Sequence, residues 1–307
     1  MNNIIKLSVL LVTYNHEKYI KEAMDSILLQ QLDYDYEIVV ADDCSTDDTL
    51  NIIKEYKKQY PDKIRILDGE KNLGITKNYK RGFNACKGEY IAVLEGDDYW
   101  TSPQKLNKQV NVLDNNKNCV LAFNRFTVMD VGTKRYNIQP WPSQEPFQLV
   151  TVTDLVRDNF IGNFSTCVYR ADIIRKLDDS LFEFTVYDWM LNIVVAQFGL
   201  IAYVPEVMSV YRLHSSGTWS NKNQVEKIQD TIKLIDEYNA YLNYVYNLEF
   251  TEHKNRLLQH LNGLLNPAER TTKEKAVIKV KEYLPPFVIV LLKSILPPKL
   301  LNRFKVK

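Results

Sequence analysis

The chain is poor in several features that would announce a protein class. Its 307 residues include four cysteines, at 44, 86, 119 and 167, and no two form a CxxC pair. This argues against a clustered zinc or redox motif and against a disulfide scaffold, leaving free thiols in a reducing compartment. Net charge is almost absent, since 39 Lys and Arg against 38 Asp and Glu give +1. A general nucleic-acid binder carries a basic excess, so no nucleic-acid partner is expected. No run reaches the roughly 18 apolar residues that cross a bilayer. The longest, Leu284–Leu292, has nine residues and two prolines. There is no internal repeat and no low-complexity tract. The opening MNNIIKLSVLLVTYN has one lysine, a short apolar run and no small-residue cleavage site. It reads as a buried strand rather than a signal peptide, which implies a cytoplasmic location.

What is present points to an α/β fold. The composition, 45% hydrophobic and 25% charged, is that of a chain with a sizeable core. The length suits two domains, or one large α/β domain with an appendage. Leu7–Val12 is a solid apolar run, the pattern of a strand buried on both faces. Tyr19, Ile20, Ala23, Met24, Ile27 and Leu28 then recur at helical spacing. Glu37–Ala41, Ile64–Leu67 and Tyr90–Leu94 read as further strands with helical stretches between them. Units of about 25–30 residues suit βαβ crossovers and a doubly wound, largely parallel sheet flanked by helices. Pro103 starts another helix, Val120–Val128 reads as a long strand, and 139–146 (QPWPSQEP) is a proline-rich connection. From Asn223 the chain is lysine-rich and helical, so a boundary is expected near 220, with a helical extension over 221–307.

Ligands of doubly wound sheets bind beyond the carboxyl ends of the strands. Strand one ends in Thr13-Tyr14-Asn15, strand two in Asp42-Asp43 and strand four in Glu95-Gly96-Asp97-Asp98. Five carboxylates at one sheet edge repel one another unless a cation or hydrogen-bond donors intervene. A divalent metal fits such oxygen ligands, and a metal at a carboxylate pair in turn accommodates a diphosphate. Gly96 leaves room for close backbone approach. Each cluster also has a local reading. Ser45-x-x-Asp48 fits a capping box, Asp97-Asp98 fits a turn before Pro103, and Thr13-Tyr14-Asn15 fits a strand end with a helix cap. All three being incidental at one edge is a much weaker account.

The blocks VLLVTYNHEKYIKEAMDSIL, EIVVADDCSTDDT and NLG…GEYIAVLEGDD, in this order and spacing, resemble the family 2 glycosyltransferases. The resemblance is strong over about residues 5–130 and weaker over 160–215. It implies a GT-A fold, with a nucleotide-sugar half over about 1–130 and an acceptor half over 131–220. It also implies inverting transfer from a nucleotide-diphospho-sugar and a divalent metal, Mn2+ or Mg2+. By position, Thr13 and Asp43 are expected at the base, Asp43 accepting from a uracil N3–H, with Asp42 supporting that loop. Tyr14, Asn15, Asn72 and Lys77 fall in the donor-binding blocks. EGDD stands at the family's DxD element, with Glu95 in place of the first aspartate. The resemblance then puts Asp97 at the ribose or metal and Asp98 at the metal.

An inverting transfer needs a base for the acceptor hydroxyl, and a carboxylate serves. Asp188, just before the apolar run WMLNIVVA, stands where the family keeps this base, in a Tyr187-Asp188-Trp189 context. The competing reading is a helix N-cap, and Leu191 gives it no capping box. YRLHSSGTWS (211–220) resembles the family segment that carries a histidine, placing His214 at the metal or diphosphate and Arg212 at phosphate. Ser215-Ser216-Gly217 suggests a loop able to close over the donor. Trp219 reads as a sugar-stacking or a core residue. Residues 283–307 carry five basic side chains and no acidic one, interleaved with apolar residues. That pattern favours peripheral contact of 284–307 with an anionic membrane, the alternative being a helix packed on the domain. The expected acceptor is a glycan or lipid-linked saccharide of surface polysaccharide assembly. Two other readings are a nucleotide-sugar-binding module without transfer, and a nucleotidyltransferase. The latter is disfavoured because no glycine-rich basic loop follows strand one.

Overall fold

The computed structural model describes residues 5–138, 147–217 and 219–266. The proline-rich connection at 139–146 and the basic segment at 284–307 lie outside the described residues. The described residues fall into two compact units, one of 5–138 and 147–221 without 218, the other of 222–266.

The first unit opens with β1 (Leu7–Thr13), α1 (Ile20–Leu28), β2 (Tyr36–Asp42), α2 (Thr49–Gln59), β3 (Ile64–Ile66), α3 (Ile75–Ala85) and β4 (Tyr90–Glu95). It continues with β5 (Tyr99–Trp100), α4 (Lys105–Asn115), β6 (Cys119–Asp130), β7 (Arg135–Ile138), β8 (Gln148–Val150) and α5 (Val152–Arg157). It ends with β9 (Cys167–Arg170), α6 (Ala171–Ile174), α7 (Asp188–Ala196) and β10 (Leu200–Leu213). One sheet has the order β3-β2-β1-β4-β9-β6-β10-β5, with β7 on β6 and β8 on β10. The βαβ half, β3-β2-β1-β4, is parallel throughout, and so is β6 on β10. Antiparallel β9 joins the halves between β4 and β6.

The apolar runs explain this half. β1 is buried at every position, as a strand covered on both faces must be. Leu7, Val9 and Leu11 belong to a core shared with Ile20, Met24 and Ile27 of α1, Ile53 of α2 and Leu106 and Val110 of α4. Leu10 points the other way, to α3. A Cβ at Gly82 would come 2.6 Å from Leu10 Cδ1, so this helix lies on the sheet only because position 82 has no side chain.

Because β2 and β4 flank β1 on opposite sides, the chain changes direction at β1. Register pairs Thr13 with Asp42 and Val12 with Glu95. Three polar strand ends therefore lie side by side at the switch point where such sheets bind ligands.

The second unit is an antiparallel pair, α8 (Gln224–Tyr241) and α9 (Asn247–Leu265). Asn223 caps α8 through a reciprocal box with Glu226, at 3.0 and 2.8 Å. Among the described residues no helix is long and apolar enough to cross a membrane.

Candidate active site

The loops after β1 and β2 are laced together. Asp43 N–H donates to Thr13 O at 2.9 Å, Asn15 N–H to Ser45 Oγ at 2.9 Å, and His16 N–H to Thr49 Oγ1 at 2.8 Å. Asn15 takes a left-handed φ of 56° and accepts from Thr46 N–H at 2.7 Å. Asp42 accepts from the Ser45 N–H and hydroxyl at 3.0 and 2.5 Å. The capping box expected at Ser45 does not form. Asp48 sits at the cap of α2 without a capping bond; its N–H donates to Glu17 Oε2 at 3.2 Å, and the Ser45 hydroxyl is engaged by Asp42 and Asn15. Asp43, buried, accepts from Leu73 N–H at 2.8 Å and Gly74 N–H at 2.9 Å, one per oxygen. It thus anchors the turn into α3, where Asn72 Oδ1 also accepts from Gly74 at 3.0 Å. Each carboxylate oxygen has a second acceptor direction, so a base N–H can still be received. Tyr14 and Lys77 are exposed.

The three acidic residues at the end of β4 separate sharply. Asp98 is wholly buried, with Ser165 Oγ donating to Oδ2 at 2.6 Å and Arg212 N–H to Oδ1 at 3.0 Å. Burial first, then the Asp97 charge, pushes its carboxyl well above the usual range. Glu95 is raised likewise by burial and by Asp97 and Asp98, with Tyr79 Oη donating to Oε1 at 2.9 Å. Asp97 remains partly exposed, and its Oδ2 lies 2.9 Å from His214 Nε2 and 3.7 Å from His16 Nε2. Burial opposes its ionisation, but the His214 hydrogen bond and both imidazole fields outweigh that and hold it below the usual range. Of the three, Asp97 is therefore the one that ionises most readily. An ionised carboxylate only accepts, so His214 donates through Nε2, with Ser216 Oγ 2.9 Å from its Nδ1.

Arg212, expected at phosphate, has several partners within the protein. Its guanidinium donates to the Asp97 carbonyl at 2.6 Å, pairs with Glu22, and stacks on Tyr99 and Tyr19 at 4.3 and 5.2 Å. It braces the acidic turn from behind. The Ser215–Gly217 loop turns on itself, with Gly217 N–H on His214 O at 3.2 Å and Ser220 Oγ on the same oxygen at 2.6 Å.

Asp188 is the first residue of α7. Tyr187 occupies the cap position without a side-chain bond, while the Asp188 carboxylate itself receives backbone N–H groups of Trp189 and Asp188 at the helix start. Asn159 Nδ2 donates to Asp188 Oδ2 at 3.3 Å, and burial raises its pKa. Its charge acts on Glu95 of the carboxylate cluster and on Tyr211. The Trp219 ring lies 6.1 Å from Tyr187, bringing the loop after β10 up to the Asp188 segment.

Several site residues carry no warning in the sequence. Ser165 serves Asp98, accepts from Glu95 N–H at 3.1 Å and offers its carbonyl to Trp100 Nε1 at 2.8 Å. Asn159 and Tyr79 are equally silent. His16 had a signal, since it directly follows Thr13-Tyr14-Asn15. A Cβ at Gly96 would stand 2.6 Å from Thr13 Oγ1 and 2.9 Å from His16 Nδ1, so the close approach at Gly96 is made by those side chains.

Among the described residues no three His, Cys, Asp or Glu side chains are grouped closely enough to hold an ion by protein ligands alone. The donors still suit a divalent cation of the kind completed by substrate oxygens, which needs one or two protein ligands. Asp97, held below the usual carboxylate range, is partly exposed and in contact with an imidazole, beside two carboxyls that burial first and then neighbouring negative charge raise.

The glycosyl transferase family 2 model matches residues 8–178. An uncharacterised protein of Mycobacterium tuberculosis is 38% identical over 214 residues, covering 69% of this chain and 60% of that protein. The chain thus spans about 60% of the length of the first relatives it matches. A Bacillus subtilis protein with the provisional name teichuronic acid biosynthesis glycosyltransferase TuaG is 26% identical, covering 72% of this chain and 84% of that one. The fold resembles that of S. aureus TarS 1-349 in complex with UDP-GlcNAc (TM-score 0.66, 19% identity, 88% of this chain and 78% of that one). It also resembles the mannosyltransferase PcManGT from Pyrobaculum calidifontis in complex with GDP-Man and Mn2+ (TM-score 0.57, 14% identity, 92% and 80%). The architecture is therefore GT-A, and the chain belongs to glycosyl transferase family 2.

Proposed function

We propose that this chain is an inverting glycosyltransferase. It moves a sugar from a UDP-linked donor to a hydroxyl of a glycan or lipid-linked saccharide during surface polysaccharide assembly. The observation that carries this is the convergence of Thr13, Asp43 and Asp97 at the switch point with Asp188 beside them. The UDP-GlcNAc bound to TarS and the name of TuaG support the donor and the setting.

Thr13 and Asp43 receive the base, with Tyr14, Asn15, Asn72 and Lys77 around it. Asp97, and His214 once its Nε2 proton is displaced, would hold a divalent cation, Mn2+ or Mg2+, with the donor's diphosphate. That is a narrower ligand set than expected, because both Asp98 oxygens are engaged in the interior. When bound, the cation offsets the charge that grows on the departing diphosphate. Asp98, Glu95 and Arg212 hold the turn that presents Asp97. Asp188 takes the proton of the acceptor hydroxyl as that oxygen attacks the anomeric carbon opposite the diphosphate. Asn159 orients the base. Burial raises its pKa, which strengthens it as a base and moves the acid limb of the pH–rate profile upward.

The test is Asp188→Asn with a panel of nucleotide-sugars and MnCl2. Thermal stabilisation by donor is expected to persist while turnover falls by roughly 10²–10⁴-fold and the acid limb disappears. Turnover equal to wild type would refute the base assignment. Nucleotide binding with no transfer by the wild type would leave a binding module.

A further inference from the structure

In a transfer of this kind the sugar lies between the diphosphate end of the site, at Asp97, and the base end, at Asp188. One side chain stands in the fields of both ends and is unused by the mechanism above. Tyr211 lies on β10, paired with Val128 of β6. Its neighbour Arg212 is pinned to the acidic turn through Asp98 Oδ1 at 3.0 Å and the Asp97 carbonyl at 2.6 Å. Strand alternation sends the two side chains to opposite faces. Arg212 goes behind the turn to Glu22, while the partly exposed Tyr211 ring packs edge-on against Phe126 at 6.5 Å.

Its hydroxyl makes no hydrogen bond among the described residues, although Asp98, Glu95, Asp97 and Asp188 all act on it. Burial first, and then those four charges, raise the phenol, so it remains an O–H donor at any working pH. Four carboxylates around one unbonded donor leave room for a neutral ligand rich in acceptor oxygens. A sugar is such a ligand, and the negative charges acting on this hydroxyl disfavour a phosphate.

We propose that the Tyr211 hydroxyl donates to a hydroxyl or ring oxygen of the transferred sugar and so helps select which nucleotide-sugar the site accepts. This rests on the glycosyltransferase reading. Loss of one hydrogen bond to a neutral ligand group weakens binding by roughly three- to ten-fold.

The experiment uses the full chain, wild type and Tyr211→Phe, titrated calorimetrically with MnCl2 present. The probes are UDP, GDP and dTDP, and the matching conjugates UDP-glucose, UDP-galactose, UDP-GlcNAc, GDP-mannose and dTDP-glucose. The variant keeps the ring against Phe126 and loses only the hydroxyl. Free nucleotide is expected to bind it as well as wild type. The conjugate that wild type prefers is expected to bind three- to ten-fold more weakly, and the preference among conjugates to narrow. Deoxy derivatives of that conjugate give a second measure. One of them is expected to lose affinity for wild type and to lose nothing further with Tyr211→Phe. Equal conjugate binding by both proteins overturns the inference. So does an equal loss for nucleotide and conjugate, which assigns Tyr211 to pocket shape. No nucleotide binding by wild type sinks the inference and the glycosyltransferase reading together.

Discussion

Lys105 on α4 offers a quantitative check on the interior behind the acidic turn. It is fully buried, and burial lowers its pKa from 10.5 to about 7. Its Nζ donates to Gln109 Oε1 at 2.7 Å and lies 4.4 Å from the centre of the Trp100 ring, whose Nε1 donates to the Ser165 carbonyl. Ser165 in turn donates to Asp98. In the unfolded chain Lys105 keeps its proton until pH 10.5, whereas in the folded chain it sheds it near pH 7. Between those values the unfolded state binds more protons, so this residue makes stability rise with pH. Below pH 7 both states are protonated and the cost of burying the cation is present in full. The expected gain from pH 7 to 9 is roughly 2 kcal/mol, approaching 1.4 kcal/mol per unit at the upper end. Buried Cys167 and Cys86, raised to about 11 and about 12 by burial, work the other way once unfolded thiols ionise near 9.0. The comparison is therefore wild type minus Lys105→Met, by urea unfolding from pH 6 to 9. Methionine leaves Gln109 Oε1 without its donor, a pH-independent offset of about 1–3 kcal/mol. Only the slope reports on Lys105. A difference that stays flat from pH 7 to 9 would refute a dry, neutral lysine at this position.

Three further outcomes follow from the geometry. Gly96→Ala places a methyl 2.6 Å from Thr13 Oγ1 and 2.9 Å from His16 Nδ1, and is expected to cost about 1–3 kcal/mol and to reduce the thermal shift given by UDP with MnCl2. An unchanged shift would show that those side chains do not shape the donor site. Ser165→Ala removes the hydroxyl from the buried Asp98 Oδ2, with an expected loss of about 1–3 kcal/mol in urea unfolding. A loss within error would mean that water replaces it. Removing 284–307 is expected to release the protein from vesicles containing anionic lipid while leaving donor hydrolysis intact. Full-length protein that never sediments with such vesicles would dismiss the membrane contact.

The βαβ half was legible because its strands are buried on both faces. Runs such as LSVLLV and EIVVA are unmistakable, and parallel crossovers bring their carboxyl ends to one edge. Thr13, Asp43 and Asp97 could thus be grouped before any coordinate was known. The second half resisted because its strands break the simple patterns. β9 has only four residues, and β10 runs 14 residues through Pro205, where register shifts on β6 absorb a residue that normally interrupts a strand. Within the site, the local rules failed wherever one hydroxyl had two claimants. Ser45 fits a capping box, yet Asp42 and Asn15 reach it first. Asp97 and Asp98 are adjacent and chemically identical, and nothing local says which turns inward. That choice is made by Ser165 and the Arg212 backbone, 67 and 114 residues away in the chain. The residue types at a strand end declare that a polar cluster exists. Which of them stays partly exposed depends on which donors the distant chain supplies to bury the others, so Asp97 is left partly exposed while Ser165 and the Arg212 backbone engage Asp98 and Tyr79 engages Glu95.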